Sequence, residues 1–358
     1  MTRTLIAFSL LSVLSSAPSN ASSEDLNTQF KQYYSAYQTA VKSDNKAQIV
    51  VTAKQAYDLG QQLYGAHHIN TVNLAINYAD ALDNKNTEKL RVLENTLKIV
   101  ENHHKDNLQA SFDVTLPIAK LTFKDEKRAA LNSLKEIGHK AEAQKDYELA
   151  SVAYLEAIKL AATSRKTAST ARTLIRRTDE INKAHLPETA IQRLSTDIWV
   201  AALDEAKNRK KAAISRLEHI VEIFDENLEF DHPFELTAHS RLVNLYEKTR
   251  QSDKATKHCL AIAKMVPWQD TQQQEPLYRV HPIYPTSMAR RMKSGWVRLQ
   301  FTVSKSGFVK DIEVLESSDS GFEKASIKAM EQWRYAPKFE NGEPVEAKST
   351  VQLDYKIS

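Results

Sequence analysis

The 358-residue sequence predicts an α+β multidomain protein, an all-α helical-repeat region followed by a small two-layer ββαβ domain. Three observations carry this. Four of the seven glycines and five of the ten prolines fall after residue 275, whereas the long stretch before it is rich in Ala, Leu, Lys, Glu and Gln, a composition of helices followed by turns. Apolar residues recur at helical spacing through residues 24–268. After residue 296 the period changes to two, as in a strand buried on one face.

At the amino end, Arg3 precedes an apolar run over residues 5–14 and small residues ending Ser19-Asn20-Ala21. This is the pattern of a secretory signal peptide cleaved after Ala21, residues 1–21. The run is diluted by Ser9 and Ser12 and is about half the length a bilayer crossing needs. The expected mature protein is periplasmic, with no membrane span after cleavage.

Residues 22–268 read as successive amphipathic helices. Leu134, Gly138, Ala141, Tyr147, Ala150, Tyr154 and Ala157 stand at the spacings of a tetratricopeptide repeat (TPR), in which small residues let two antiparallel helices approach and aromatic rings fill the gap. Leu242, Val243, Tyr246, Ala255, Cys259, Ile262 and Pro267 form a second such unit, its proline placed where the second helix must stop. Turns are expected at Asp44-Asn45, between Asp83 and Asn86, at His185-Leu186-Pro187, around His68 and from Asp231 to Leu236. The repeat register is lost over residues 86–128 and 166–212, although helical periodicity persists. A TPR-like solenoid follows, in which each repeat buries its apolar side only against neighbours and a concave inner surface is available to a partner.

Charge and chemistry narrow the function. The net charge of +4 is small for this length. Basic residues crowd between Arg165 and Arg216, including Arg209-Lys210-Lys211, but no aromatic residues are interleaved for base stacking, so a solvated helical surface rather than nucleic-acid binding is expected. The single cysteine, Cys259, allows no intramolecular disulfide and falls where a small buried apolar residue is wanted. His67-His68 and His103-His104 are adjacent pairs. Neighbours on a helix point about 100° apart and cannot grip one ion as an i, i+4 pair can. There is no H-E-x-x-H, glycine-rich phosphate loop or nucleophile elbow. The expectation is a protein that binds rather than catalyses, without metal or cofactor.

After a linker over residues 269–281, residues 282–358 form the mixed domain. Val297, Leu299, Phe301 and Val303 alternate with Arg298, Gln300 and Thr302 as a first strand, and residues 310–316 read as a second. Ser320 and Glu323 fit a capping box opening a helix whose apolar side is Phe322, Ala325, Ala329 and Trp333. Pro337 and Asn341-Gly342 break the chain. Val351, Leu353, Tyr355 and Ile357 then alternate with Thr350, Gln352, Asp354 and Lys356 as a final strand, expected at a sheet edge.

This last quarter resembles the C-terminal domain of TonB. The resemblance rests on Tyr284-Pro285, Gly295-Trp296-Val297 running into Phe301-Thr302-Val303, Gly307-Phe308-Val309, Phe322, Ala325, Trp333-Arg334-Tyr335-Ala336-Pro337 and Gly342-Glu343-Pro344-Val345. It implies a TonB-type fold for residues 282–358, in which Tyr284, Pro285, Gly295, Phe322, Trp333, Arg334, Tyr335 and Pro337 are structural. It also implies that the final strand, at Ser349, Thr350, Val351, Gln352, Leu353, Asp354 and Tyr355, receives the short box peptide of a TonB-dependent outer-membrane receptor by strand addition. The glutamine that precedes the Tyr-Pro pair in the family is Ile283 here. The family's histidine-bearing transmembrane helix and proline-rich spacer have no counterpart in the sequence, in which no histidine precedes His67. The functional expectation is an adaptor or energy-transduction protein of TonB-dependent transport, as in iron uptake. Its TPR-like region would dock a partner such as an inner-membrane proton-driven complex. The alternative is an envelope scaffold or assembly protein with no role in uptake.

Overall fold

The computed structural model describes residues 21–227, 232–269 and 272–357. The expected signal peptide therefore lies outside the described residues apart from Ala21, as does Asp231 of the expected turn. The chain divides into two compact units, Met1–Leu186 and Pro187–Ser358.

The first unit is built of α1 (Ala21–Lys42), α2 (Lys46–Tyr64), α3 (Ile69–Ala81), α4 (Thr87–His103), α5 (Leu108–Thr122), α6 (Lys127–Ala143), α7 (Tyr147–Ala162) and α8 (Ala168–His185), each packed on the one before it. Short polar turns start the helices. Asn45, Asn86, Asn107 and Asp146 accept hydrogen bonds from the first-turn amides of Gln48, Glu88, Ala110 and Leu149, which is why the sequence breaks there. His68 does the same for Asn70 through Nδ1, at 3.1 Å.

The TPR-like unit of α6 and α7 is closed as its spacing requires. A Cβ on Gly138 would lie 2.3 Å from the Tyr154 ring, so only glycine lets this fully buried tyrosine cross between the helices. Tyr154 donates to Glu142 Oε1 at 2.5 Å, and Glu142 is ion-paired to Arg177 of α8. Gly60 of α2 repeats the device, with Leu74 of α3 2.2 Å from its would-be Cβ.

The second unit opens with α9 (Ile191–Ala206), α10 (Lys210–Asn227), α11 (Pro233–Lys248) and α12 (Ser252–Met265). Leu242, Val243, Tyr246, Ala255, Cys259 and Ile262 are buried in one core shared with α10, and α12 ends before Pro267. A one-turn helix α13 (Thr286–Arg290) leads into β1 (Gly295–Val303), β2 (Val309–Ser317), α14 (Glu323–Met330), β3 (Lys338–Glu340), β4 (Glu343–Val345) and β5 (Ala347–Tyr355). The three long strands form an antiparallel sheet in the order β2-β1-β5. Val297, Leu299, Phe301, Val303, Leu353 and Tyr355 face a layer containing Phe322, Met330 and Trp333.

Two details differ from the sequence reading. A 3-10 turn over Ser320–Phe322 leads into α14, and its cap is Asp319, whose carboxylate accepts from Gly321 N at 2.9 Å, while Glu323 accepts from Ser317 Oγ at 2.5 Å. A carboxylate is the stronger acceptor and displaces the expected Ser320–Glu323 box. The break at Asn341-Gly342 is a hairpin joining β3 and β4. Both turn residues have positive φ, 52° and 82°, the geometry that suits an Asn-Gly pair.

Candidate functional site

The sheet has two edges, and they differ. Along β2 the pairing with β1 is shifted twice, and Asp311 is in the left-handed region with φ 48°; such bulges twist and blunt an edge. β5 pairs with β1 residue for residue, from Ala347 opposite Val303 to Tyr355 opposite Gly295. Among the described residues no strand lies on its outer side. A regular nine-residue edge presents alternate main-chain donors and acceptors outward.

The pleat divides the side chains of this strand. Leu353 and Tyr355 are buried and Val351 half-buried on the core face. Thr350, Gln352 and Asp354 are exposed on the other face, opposite Gln300, Arg298 and Trp296 of β1. Gln352 donates to Asp354 Oδ1 at 3.0 Å, and the Arg298 guanidinium stands 5.7 Å from the Trp296 ring centre. Ser349, across from Phe301, is half-buried. Lys348 and Lys356 flank the edge, both exposed.

The carboxyl end of β5 is fixed from below by three rings. Tyr284 meets Phe322 and Tyr355 edge-on at 5.8 and 5.6 Å, and Phe322 lies 4.5 Å from Tyr355. The Tyr284 hydroxyl donates to Lys293 O at 2.5 Å. Tyr355 and Ser326 share a hydrogen bond at 2.7 Å. Burial pushes the Tyr355 phenol above its ordinary pKa, against the lowering effect of this bond. Gly295 is needed here because a Cβ would strike Ser318 and Phe322 at 2.4 and 2.5 Å. Pro285 precedes α13, its carbonyl accepting from Met288 and Ala289 at 3.0 Å each. Ile283 is 81% exposed.

Trp333, Arg334, Tyr335 and Pro337 are buried, and Trp333 and Tyr335 lie in the core that holds Leu353 and Tyr355 of β5. The Trp333 indole donates to Val280 O at 2.8 Å. Arg334 reaches into the last helical hairpin. Its guanidinium is ion-paired with Glu247 of α11, donates to Thr256 Oγ1 of α12 at 2.7 Å and to Ser306 O at 2.9 Å, and lies 3.7 Å from the Phe308 ring centre. Its main chain pairs with Tyr278. Cys259 lies 3.8 Å from the same guanidinium, and burial pushes its thiol pKa up to about 11, so it packs as an inert group. Sequence reasoning did not foresee the Arg334 contacts with Glu247 and Thr256.

The histidine pairs have local duties. His67 stacks on His103 at 4.0 Å, His104 Nε2 bonds His67 O at 2.6 Å, and His68 caps α3. Among the described residues no group of three His, Cys, Asp or Glu side chains is arranged to hold a metal ion, and no helix is long and apolar enough to cross a membrane.

The family model for the Gram-negative bacterial TonB protein C-terminal matches residues 280–357. Residues 280–357 belong to the TonB C-terminal family. Protein TonB of Pseudomonas aeruginosa is 34% identical over 84 residues, 23% of this chain. The chain spans only 25% of that relative's length. Among solved structures, the TonB C-terminal domain of Pseudomonas aeruginosa, determined by solution NMR, is 32% identical, with 25% of this chain and 90% of that one covered and a TM-score of 0.22. The TonB2 protein of Vibrio anguillarum is 34% identical, with 26% and 90% covered and a TM-score of 0.21. A kinesin light chain of Podosopora anserina with nearly identical TPR-like repeats is 16% identical, with 68% and 95% covered and a TM-score of 0.27. In this chain the residues matched by the TonB C-terminal model follow helices α1–α12, and the outer strand β5 is the regular edge.

Proposed function

We propose that this protein is a non-enzymatic periplasmic adaptor of TonB-type energy transduction. Its β5 edge captures the box peptide of an outer-membrane receptor as an added strand, and its TPR-like helices dock an envelope partner, an inner-membrane energy-transducing complex being the candidate. The observation that carries the reading is the uninterrupted pairing of β5 with β1 beside an unpaired outer side, in a domain that matches the TonB C-terminal family. Main-chain hydrogen bonds would supply most of the affinity, and Thr350, Gln352 and Asp354, exposed along the strand, would tune selection.

Photocrosslinking in intact cells tests this directly. A photoreactive residue at Gln352 is expected to capture an outer-membrane receptor, and one at Glu313, exposed on the bulged β2 edge, is not. Equal capture from both positions, or none from Gln352, refutes strand addition at β5. Growth on a scarce iron chelate separates a transport adaptor from a scaffold, because loss of the gene impairs growth only in the first case.

A further inference from the structure

The crowd of basic residues that begins at Arg165 has one member in an unusual place. Lys166 joins Lys127, Arg128 and Lys135 of α6 around a cavity of about 480 Å³ in the first unit, between the start of α6 and the turn that opens α8. No carboxylate lines it. Among the described residues none of the four cations has an ion-pair partner, whereas Arg177 is compensated by Glu142 and Arg216 by Asp197. Like charges gathered around one concavity repel and raise its affinity for anions. Asn132 and Ser169 add neutral hydrogen-bonding groups, and Leu131 supplies a buried apolar floor.

The arrangement is too long for one small anion. Arg128 and Lys135 are seven positions apart on α6, an axial rise of roughly 10 Å. An extended chain covers that distance in about three residues. An amide side chain between two cations suits a peptide backbone flanked by carboxylates.

We propose that this α6/α8 cavity is the docking site for an extended acidic segment of a partner protein, its carboxylates spaced to meet Arg128 and Lys135 along α6, with Lys166 contributed by the turn that opens α8. This deepens the reading that the TPR-like helices dock a partner, and it rests on that reading. The test uses the full chain and a fluorescent hexaglutamate peptide, with hexaglutamine and inorganic phosphate as the other probes. Hexaglutamate binds, weakens as salt is raised, and is not displaced by phosphate at equal concentration; hexaglutamine does not bind. Lys135→Glu with Lys166→Glu weakens hexaglutamate by about tenfold or more, whereas Lys105→Glu, at an exposed site elsewhere, leaves it unchanged. Should the double reversal disturb folding, Lys135→Gln with Lys166→Gln gives the same direction with a smaller loss.

Binding that ignores both double variants, or is insensitive to salt, overturns the proposal. Displacement by equimolar phosphate, or tighter binding of a single-stranded oligonucleotide, assigns the cavity to another ligand and overturns it as well. Receptor box peptide is measured on the same variants. If it still binds while hexaglutamate does not, only the cavity assignment falls. If hexaglutamate binds and box peptide binds no variant, the receptor reading falls instead.

Discussion

Arg334 is 1% exposed and carries a full charge into the core of the second unit, and its neighbours explain how it is tolerated. Glu247 supplies the opposite charge, Thr256 and Ser306 accept from the guanidinium, and the Phe308 face covers it. A buried pair of this kind is weak evidence of stability in itself, because desolvation offsets most of the attraction. Removing one partner is different, since it leaves the other charge buried alone. Arg334→Ala should therefore destabilise the chain by about 3–5 kcal/mol, read as a lower urea midpoint. Replacing Arg334 and Glu247 together by apolar residues of similar size should cost clearly less. If the single and double substitutions cost the same, the pair is not the source of the effect.

At the scale of elements, two predictions concern helix pairs. Gly138→Ala would place a methyl group where the Tyr154 ring lies 2.3 Å away, and a ring locked to Glu142 has little room to yield. Overpacking of about 1–3 kcal/mol is expected, as a lower thermal midpoint with the C-terminal domain's peptide binding unchanged. The α11–α12 hairpin is expected to lose stability in acid. His239 and His258 share a hydrogen bond between their Nδ1 atoms at 2.8 Å inside it, with Glu235, Tyr246, Asp225 and Lys257 around them. Burial first, then His239, pushes His258 down to about 3, and burial lowers His239 too. In the unfolded chain both rings take up protons near pH 6.5, so below that pH the unfolded state binds more protons and stability falls. It continues to fall until the folded pKa values are reached, by at most about 1.4 kcal/mol per pH unit for each ring. Urea midpoints at pH 7.5 and 5 should show this loss, and His258→Gln should flatten it. How far these elements can be read from sequence depends on their length. β1, β2 and β5 run to nine residues each, with β5 alternating throughout, and Gly138 with Tyr154 announces its helix pair. β3 and β4, three residues each, are too short to alternate, although Asn341-Gly342 marked their turn. The edge position of β5 was legible because it is the last strand of a recognisable domain. The Arg334–Glu247 pair joins positions 87 apart and leaves no local pattern.

For the whole molecule, that pair ties the C-terminal sheet domain to the last helical hairpin. The TonB C-terminal domain and helices α9–α12 belong to one compact unit, with Leu277, Tyr278 and Ala336 packed on the helical core and Gly307 pressed against the Tyr335 carbonyl, 2.3 Å from its would-be Cβ. Under the proposed function, a pull on a peptide added to β5 would enter β1 through the ladder and leave through Arg334 and the turn at Ser306 into α11 and α12. Strand addition itself needs none of these groups. Glu247→Gln keeps a hydrogen-bond acceptor for Arg334 but removes the charge, so it should loosen the junction without disturbing the edge. The expected result is box-peptide affinity within about twofold of the parent, less than 0.5 kcal/mol, together with impaired growth on a scarce iron chelate. A parallel loss of affinity and growth would mean that the pair only maintains the fold of the domain. Full growth with a demonstrably weakened junction would mean that no load travels by this route.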